Sequence, residues 1–431
     1  MMPAAQQFDP ELDQEPTGGY RPLVVVLLSP LAFALVFASW TIFAVLGVEL
    51  KALLGFGEVR FAVLLAMPMA VGALAALPMA LLAQRLGGRR VMIACLLLIC
   101  PFLWGLSHAR DYHHLLLAGA GLGLGAGSLA AGLVYVAGLC PRRHAGLALG
   151  LYGAGMVGAG LSYLLLPLIS QAYGWRTAPL LYLLPVLLVA ALLWLFADDR
   201  EAEPDVPDAL QDAPPRPLPA ALLRRLASWR LWRLALVYSF FYGTFVALAL
   251  WLPAYLSAQY RLPLREAALA ALPFTLAVGI GQVVGGALAD RRDFRALRWW
   301  VSAFVLVCLF LLSYPPFVMQ LEGVHGPIAL RYEAPLWGFL LLLSLMGAAM
   351  GVGKGSLMRL IHRDHRDEMA LVGGLALTLG GLFAALLPLV FVVGNEWVGI
   401  RTAGFMFLYA SLIGCMLVMV WDHASDRGVR A

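Results

Sequence analysis

The sequence predicts an all-α membrane protein with twelve transmembrane helices, arranged as two six-helix bundles related by an internal repeat. Composition is the first observation: of 431 residues 62% are hydrophobic and 13% charged, against about 45–50% apolar in ordinary soluble domains. The second is the recurrence of apolar windows of the length that crosses a bilayer, about 20 residues. The third is a glycine run that occurs twice, Gly123-Leu124-Gly125-Ala126-Gly127-Ser128-Leu129 and, 228 residues later, Gly351-Val352-Gly353-Lys354-Gly355-Ser356-Leu357. Duplication inside an apolar chain is characteristic of transporters.

Taken in order, the windows fall near 22–48, 61–83, 91–107, 114–139, 147–169 and 178–197, then 234–256, 267–289, 299–319, 336–361, 370–393 and 402–422. Residues 1–21 form an acidic tail with Asp9, Glu11, Asp13 and Glu15, unlike the positive start of a secretory signal, and no cleaved signal is expected. Residues 22–197 form the first bundle and 234–422 the second, followed by a short tail at 423–431. Between the bundles, 198–233 is acidic, then proline-rich, then basic, a composition that cannot bury a core and reads as a solvated linker. Residues Glu322 to Glu333 lengthen the loop before segment ten. The cysteines Cys95, Cys100, Cys140, Cys308 and Cys415 have no paired metal-ligand spacing and read as small packed residues.

Orientation follows from the basic residues, because short cytoplasmic loops retain them. With both termini inside, 21 of the 30 Lys and Arg lie on the inner side and 8 on the outer side. The thirtieth is Lys354, one of only two lysines, and it interrupts the second glycine run. The net charge of +5 therefore reports orientation, and no nucleic-acid partner is expected. An ionisable residue at membrane depth marks a candidate site. The competing reading is that Lys354 snorkels its ammonium towards the basic loop about seven residues on.

The repeat extends to the helix ends. Segment two closes on Gln84-Arg85-Leu86-Gly87-Gly88-Arg89-Arg90, and segment eight on Gly286-Ala287-Leu288-Ala289-Asp290-Arg291-Arg292, an offset of 206 residues. These ends resemble the loop signature of the major facilitator superfamily, well in the second half and less well in the first, where Gln84 replaces the aspartate. The resemblance implies the major facilitator fold and a conformational role for Arg85, Arg89, Asp290, Arg291, Gly353 and Gly355, the alternative for the arginines being ordinary positive-inside residues. Within that superfamily the chain is similar to the nitrate/nitrite porters over most of its length. The stretches that carry this are Gly123 to Gly160 with Pro141-Arg142-Arg143, Tyr238 through Gly243-Thr244-Phe245, and Gly351 to Ser356 with Arg359.

That resemblance implies an arginine on segment two and another on segment eight to clamp the anion, yet Ala76 and Gln282 stand there, again 206 residues apart. Leu129 replaces an aromatic of segment four and Tyr152 an asparagine of segment five, while the tyrosine of segment seven is kept as Tyr238. A small anion leaving water needs fixed positive charge or several donors. Gln282 supplies donors without charge, and Lys354 supplies charge. Polar residues inside the segments extend the candidate pathway to Trp40, Thr41, Tyr135, Tyr242, Thr244 and Ser356; each tyrosine reads equally well as an interhelical hydrogen bond. No Asp or Glu lies well inside a segment, since Glu49, Glu58, Glu266 and Glu396 sit at the outer mouths. A carboxylate proton relay is thereby disfavoured, leaving exchange, facilitated diffusion or symport through Lys354.

The remaining signals are weak. Gly353-Lys354-Gly355 lacks both the Ser or Thr after the lysine and the earlier glycine of a phosphate-binding loop. His362 and His365 have helical spacing for a metal but lie in a charged loop that reads as solvated. The chain is expected to be a secondary active transporter in a bacterial inner membrane, not an enzyme, and to work as a monomer without cofactor or metal. Its partners are the lipid bilayer and a small-molecule or ion substrate, most simply an inorganic anion of the nitrate/nitrite type. The alternatives are another small solute or metal species, or a non-transporting sensor or assembly factor.

Overall fold

The computed structural model describes residues 24–140, 142–198, 229–291, 294–323 and 326–428. The stretch read as the N-terminal tail and nearly all of the stretch read as the linker lie outside these residues. Eleven described helices are long and apolar enough to cross a membrane, and a twelfth, in segment nine, is shorter. The first half comprises α1 (Ser29–Leu54), α2 (Glu58–Leu86), α3 (Gly88–Ser107), α4 (Tyr112–Leu139), α5 (Ala145–Tyr173) and α6 (Thr177–Phe196). In the second half lie α7 (Trp229–Tyr260), α8 (Leu264–Arg291), α9 (Phe294–Leu312), α10 (Leu336–Asp364), α11 (Met369–Val398) and α12 (Ala403–Trp421). The helices overrun the apolar windows because helical backbone continues into the polar rim. Thus α7 starts at Trp229, inside the stretch read as linker, and the last helix runs to Gly428, into the stretch read as a tail.

Segment nine needs a larger correction, since the apolar window 299–319 spans two structures. The helix stops at Leu312, ahead of Pro315 and Pro316, which cannot donate backbone hydrogen bonds. Phe317–Gly323 (β1) then pairs antiparallel with Gly326–Tyr332 (β2). The larger outer loop expected here is therefore a β-hairpin whose partners Phe317 and Tyr332, and Met319 and Leu330, share one face.

Breaks in the helices follow local chemistry. In α1 the Ser39 and Thr41 hydroxyls donate to the carbonyls of Leu35 and Phe37 at 2.9 Å, and a 3-10 turn follows at Thr41–Ala44. In α4 the alternate glycines from Gly119 to Gly127 weaken the helix by about 1 kcal/mol each relative to alanine. It opens there into four i to i+3 bonds, Gly125 N to Leu122 O, Ala126 N to Gly123 O, Ser128 N to Gly125 O and Leu129 N to Ala126 O. The second copy of this run is less dense in glycine, and α10 passes through it unbroken.

The halves meet along α2 with α11 and along α5 with α8. The second crossing depends on the absence of side chains: a Cβ on Gly286 would lie 2.1 Å from the carbonyl oxygen of Gly146. Helix backbones approach this closely only through small residues. Within the second half α10 packs on α8 in the same way, a Cβ on Gly355 falling 2.3 Å from the carbonyl oxygen of Gln282.

Candidate functional site

At the centre of the interface α10 delivers Lys354 towards the opposite half. The residue is 1% exposed, and its ammonium meets the Met156 thioether on α5. It also lies over the rings of Phe245 and Tyr242 on α7, at 5.2 and 5.8 Å from their centroids. The side chain does not snorkel to the headgroups. No carboxylate or carbonyl among the described residues accepts a hydrogen bond from it. Magnitudes show what this means: cation–π contacts contribute about 0.5–2 kcal/mol each, whereas burying an unpaired ion costs several kcal/mol. With Lys354 protonated, the pocket is one anion short of electrostatic balance.

Gln282 approaches the same turn of α5. Its amide nitrogen packs where a Cβ of Gly153 would be, and Met156, which holds Lys354, is three residues further on, on the same helix face. Gln282 is 4% exposed and its amide oxygen has no hydrogen-bond partner. Tyr238 stacks on Tyr242 with centroids 5.7 Å apart, extending the aromatic wall. These four residues make up the candidate site core: Lys354, Tyr242 beneath it, Tyr238 stacked on Tyr242, and Gln282 of α8 against the same turn of α5.

Three other residues expected from the sequence sit apart from it. Ser356 donates back to the Gly353 carbonyl of its own helix at 2.9 Å. The Tyr152 hydroxyl donates to Ser128 O at 2.7 Å and Leu129 O at 3.2 Å, tying α5 to α4 inside the first half. Trp40 lies one layer behind: its ring meets Phe37, which stacks on Phe245, and its indole nitrogen is buried without a partner. Ala76 is buried and contributes no polar atom. Sequence reasoning missed Met156, hidden in a glycine run of α5, and Phe37 on α1; helical spacing points to neither.

A second cluster closes the arginine-rich end of the interface. The Asp290 carboxylate accepts from the backbone N–H groups of Gly146 and Leu147, at 2.9 and 3.0 Å, in the first turn of α5. It accepts as well from Arg359 Nε at 2.6 Å, and this pair is largely buried, with side-chain exposures of 7% and 15%. A carboxylate on a helix N-terminus satisfies open donors and complements the helix dipole. Next to it His362 on α10 reaches the Ala137 carbonyl on α4 at 3.4 Å and Arg359 at 3.2 Å. Cys140, just beyond the end of α4, feels this closure: burial, reinforced by the Asp290 charge, pushes its thiol up to about 12. Of the arginines expected to act here, Arg85 and Arg291 are exposed, and Arg89 donates to the Ala197 carbonyl inside the first half. Gly353 faces Phe241 and Val301 within the second half, and Gly355 lies on α8. The charged bond across the halves at this end is made by Asp290, with Arg359 holding it and His362 adding a contact to α4. Among the described residues no group of three or more His, Cys, Asp or Glu assembles a metal site.

At the opposite end a cavity of about 200 Å³ opens between the halves, lined by Lys51, Glu58 and Phe61 from the first and Trp251, Asn395 and Arg401 from the second. The site core thus lies between a closed end and a vestibule.

Two bundles packed about a central polar site is an arrangement found in many carriers, and comparison with known families decides which. The model of the Major Facilitator Superfamily matches residues 28–388. The chain belongs to the major facilitator superfamily. Among its curated superfamily relatives is the probable nitrate/nitrite antiporter NarK1 of Thermus thermophilus, 31% identical over 93% of this chain and 91% of that protein. The nitrite extrusion protein of Bacillus subtilis is 24% identical over 94% and 96% of the two chains. Among solved structures, the human organic anion transporter MFSD10 superposes with a TM-score of 0.64 at 18% identity, covering 91% of this chain and 98% of that one. A bacterial homologue of the human lysosomal transporter Spinster follows at a TM-score of 0.61 and 15% identity, covering 95% and 98%. Both likenesses support the twelve-helix major facilitator fold. The chain is an integral membrane protein of a transporter superfamily.

Proposed function

We propose that this protein is a secondary transporter of a small inorganic anion of the nitrate/nitrite type. The anion sits at Lys354 and is carried by alternating access, the two halves rocking about the site. One observation carries the reading: a fully buried ammonium with no anionic partner, placed where the halves meet. The relatives named as a nitrate/nitrite antiporter and a nitrite extrusion protein point the same way. Gln282 orients the anion with its amide N–H groups, while Tyr242 and Tyr238 form an apolar wall that excludes water. Tyr152, Trp40 and Ser356 support the helices that carry the core.

Asp290, backed by Arg359, latches the arginine-rich end, and Gly353 and Gly355 let α10 pack closely. Arg85, Arg89 and Arg291 belong to the basic rim and fix orientation, with that rim and both termini on the cytoplasmic side of a bacterial inner membrane. On this reading the vestibule faces outwards and one chain is sufficient for transport.

Counterflow in proteoliposomes with labelled nitrate and nitrite tests the proposal. The expected result is saturable flux of at least one of the two, lost in Lys354→Ala. Absence of flux for every small inorganic anion tried would overturn it.

A further inference from the structure

The identity of the single cation has a consequence for energy coupling. An arginine keeps its proton at any accessible pH, whereas a lysine amine in an apolar pocket can release it. Lys354 has a thioether and two rings around its ammonium. The elements packed against it bring no opposite charge to its level. On α7 the titratable groups nearest to it are Tyr238 and Tyr242, stacked on each other, with Tyr255 and Tyr260 further along the helix. On α5 they are Tyr152, whose hydroxyl is committed to the α4 backbone, Tyr163, whose hydroxyl donates to the Ala249 carbonyl, and the exposed Tyr173 at the helix end. On α9 they are Cys308 and Arg298. The Asp290 carboxylate of α8 is engaged by Arg359 and the start of α5. Arg359 and His362 lie on α10 itself, at the latch; α11 carries one titratable group, Glu396, in its last turn.

Two occupancies of this pocket are electrically balanced: a neutral amine without anion, and an ammonium with a monovalent anion. The other two leave a lone buried charge, at a cost of several kcal/mol. We infer that Lys354 binds a proton and the anion together and releases both on the other side, so that each monovalent anion crosses with one proton. This rests on the reading of Lys354 as the anion site. The proton comes from the solution on the loading side, adds to the amine lone pair, and leaves from the same nitrogen on the unloading side; no bond in the anion changes. The empty carrier, holding a neutral amine, returns without an exchange partner. The cycle is electroneutral, and its driving force is the pH gradient.

The test uses the full-length protein in proteoliposomes with a pH-sensitive dye trapped inside and labelled nitrite or nitrate outside. Wild-type protein should acidify the lumen in step with net uptake. At equilibrium a pH difference of one unit should change the accumulation ratio about tenfold, whereas a membrane potential set with valinomycin should leave it unchanged. Lys354→Arg should lower the ratio of protons to anions from one to below about a tenth in whatever flux it supports, since guanidinium does not give up its proton.

Wild-type uptake that responds to the potential and moves no protons would overturn proton coupling while leaving the anion site standing. So would an arginine variant that still moves one proton per anion. Failure of the wild-type protein to carry any anion even in counterflow would overturn the site reading itself. The wild-type measurements decide the matter even where the variant does not assemble.

Discussion

At the residue scale, Lys354 separates charge from volume. Lys354→Met keeps nearly the length of the side chain and removes the group that carries the charge, so transport should fall at least about a hundredfold while the protein stays at least as stable, since the amine it replaces bonds only to a thioether. Initial rates of counterflow and thermal unfolding in detergent check the two halves of this expectation. Gln282→Leu removes donors and leaves the charge. Loss of one or two hydrogen bonds to a charged ligand, about 1.5–3 kcal/mol each, should appear as a rise of roughly tenfold or more in KM. The lysine was conspicuous in the sequence as a charge inside an apolar repeat. Its surroundings were not, because Met156 lies 198 residues away and a methionine in a glycine run carries no sign of what it will face.

At the scale of elements, the crossing of α5 with α8 is the feature open to experiment. Asp290→Asn removes the ion pair with Arg359 and weakens two charge-assisted bonds to the start of α5. The closed arrangement should lose about 1–3 kcal/mol. Cys140 reports the change, since its thiol, pushed up to about 12 in the closed arrangement, is almost wholly protonated at pH 7.5 and should react slowly with maleimide. Opening returns it towards the usual value near 8.5. In a protein with the other four cysteines replaced by alanine, labelling should therefore accelerate at least tenfold. Because Asp290→Asn also removes a negative charge that raises the thiol, Gly286→Val is the complementary variant: its Cβ meets the Gly146 backbone, parts the helices and leaves the charge in place. Asp290 was legible as part of a repeated helix-end signature. Its partners were not, because two of them are backbone N–H groups, which have no letter of their own. Segment nine shows the opposite failure: hydropathy sums the apolar hairpin into the helix, and only the two prolines mark the boundary.

At the scale of the whole molecule, the distribution of arginine predicts topology. A cysteine placed at Gln320 in the hairpin should react with an impermeant maleimide on intact cells, and one placed at Arg427 should react only after the membrane is opened. The reverse pattern would invert the proposed orientation. The twelve spans and the duplication were legible because periodic apolar stretches and repeated letters are local signals; the relation between the halves is set by contacts far apart in the chain. That relation is also less symmetric than the repeat suggests. The dense glycine run lets α4 open into loose turns, while the sparser copy leaves α10 intact along its whole length. A rod transmits displacement and a jointed segment absorbs it. In the proposed transport cycle, parting of the latch at one end would make α10 the lever that carries the movement past Lys354 to the opposite mouth, and α4 the joint about which the first half yields.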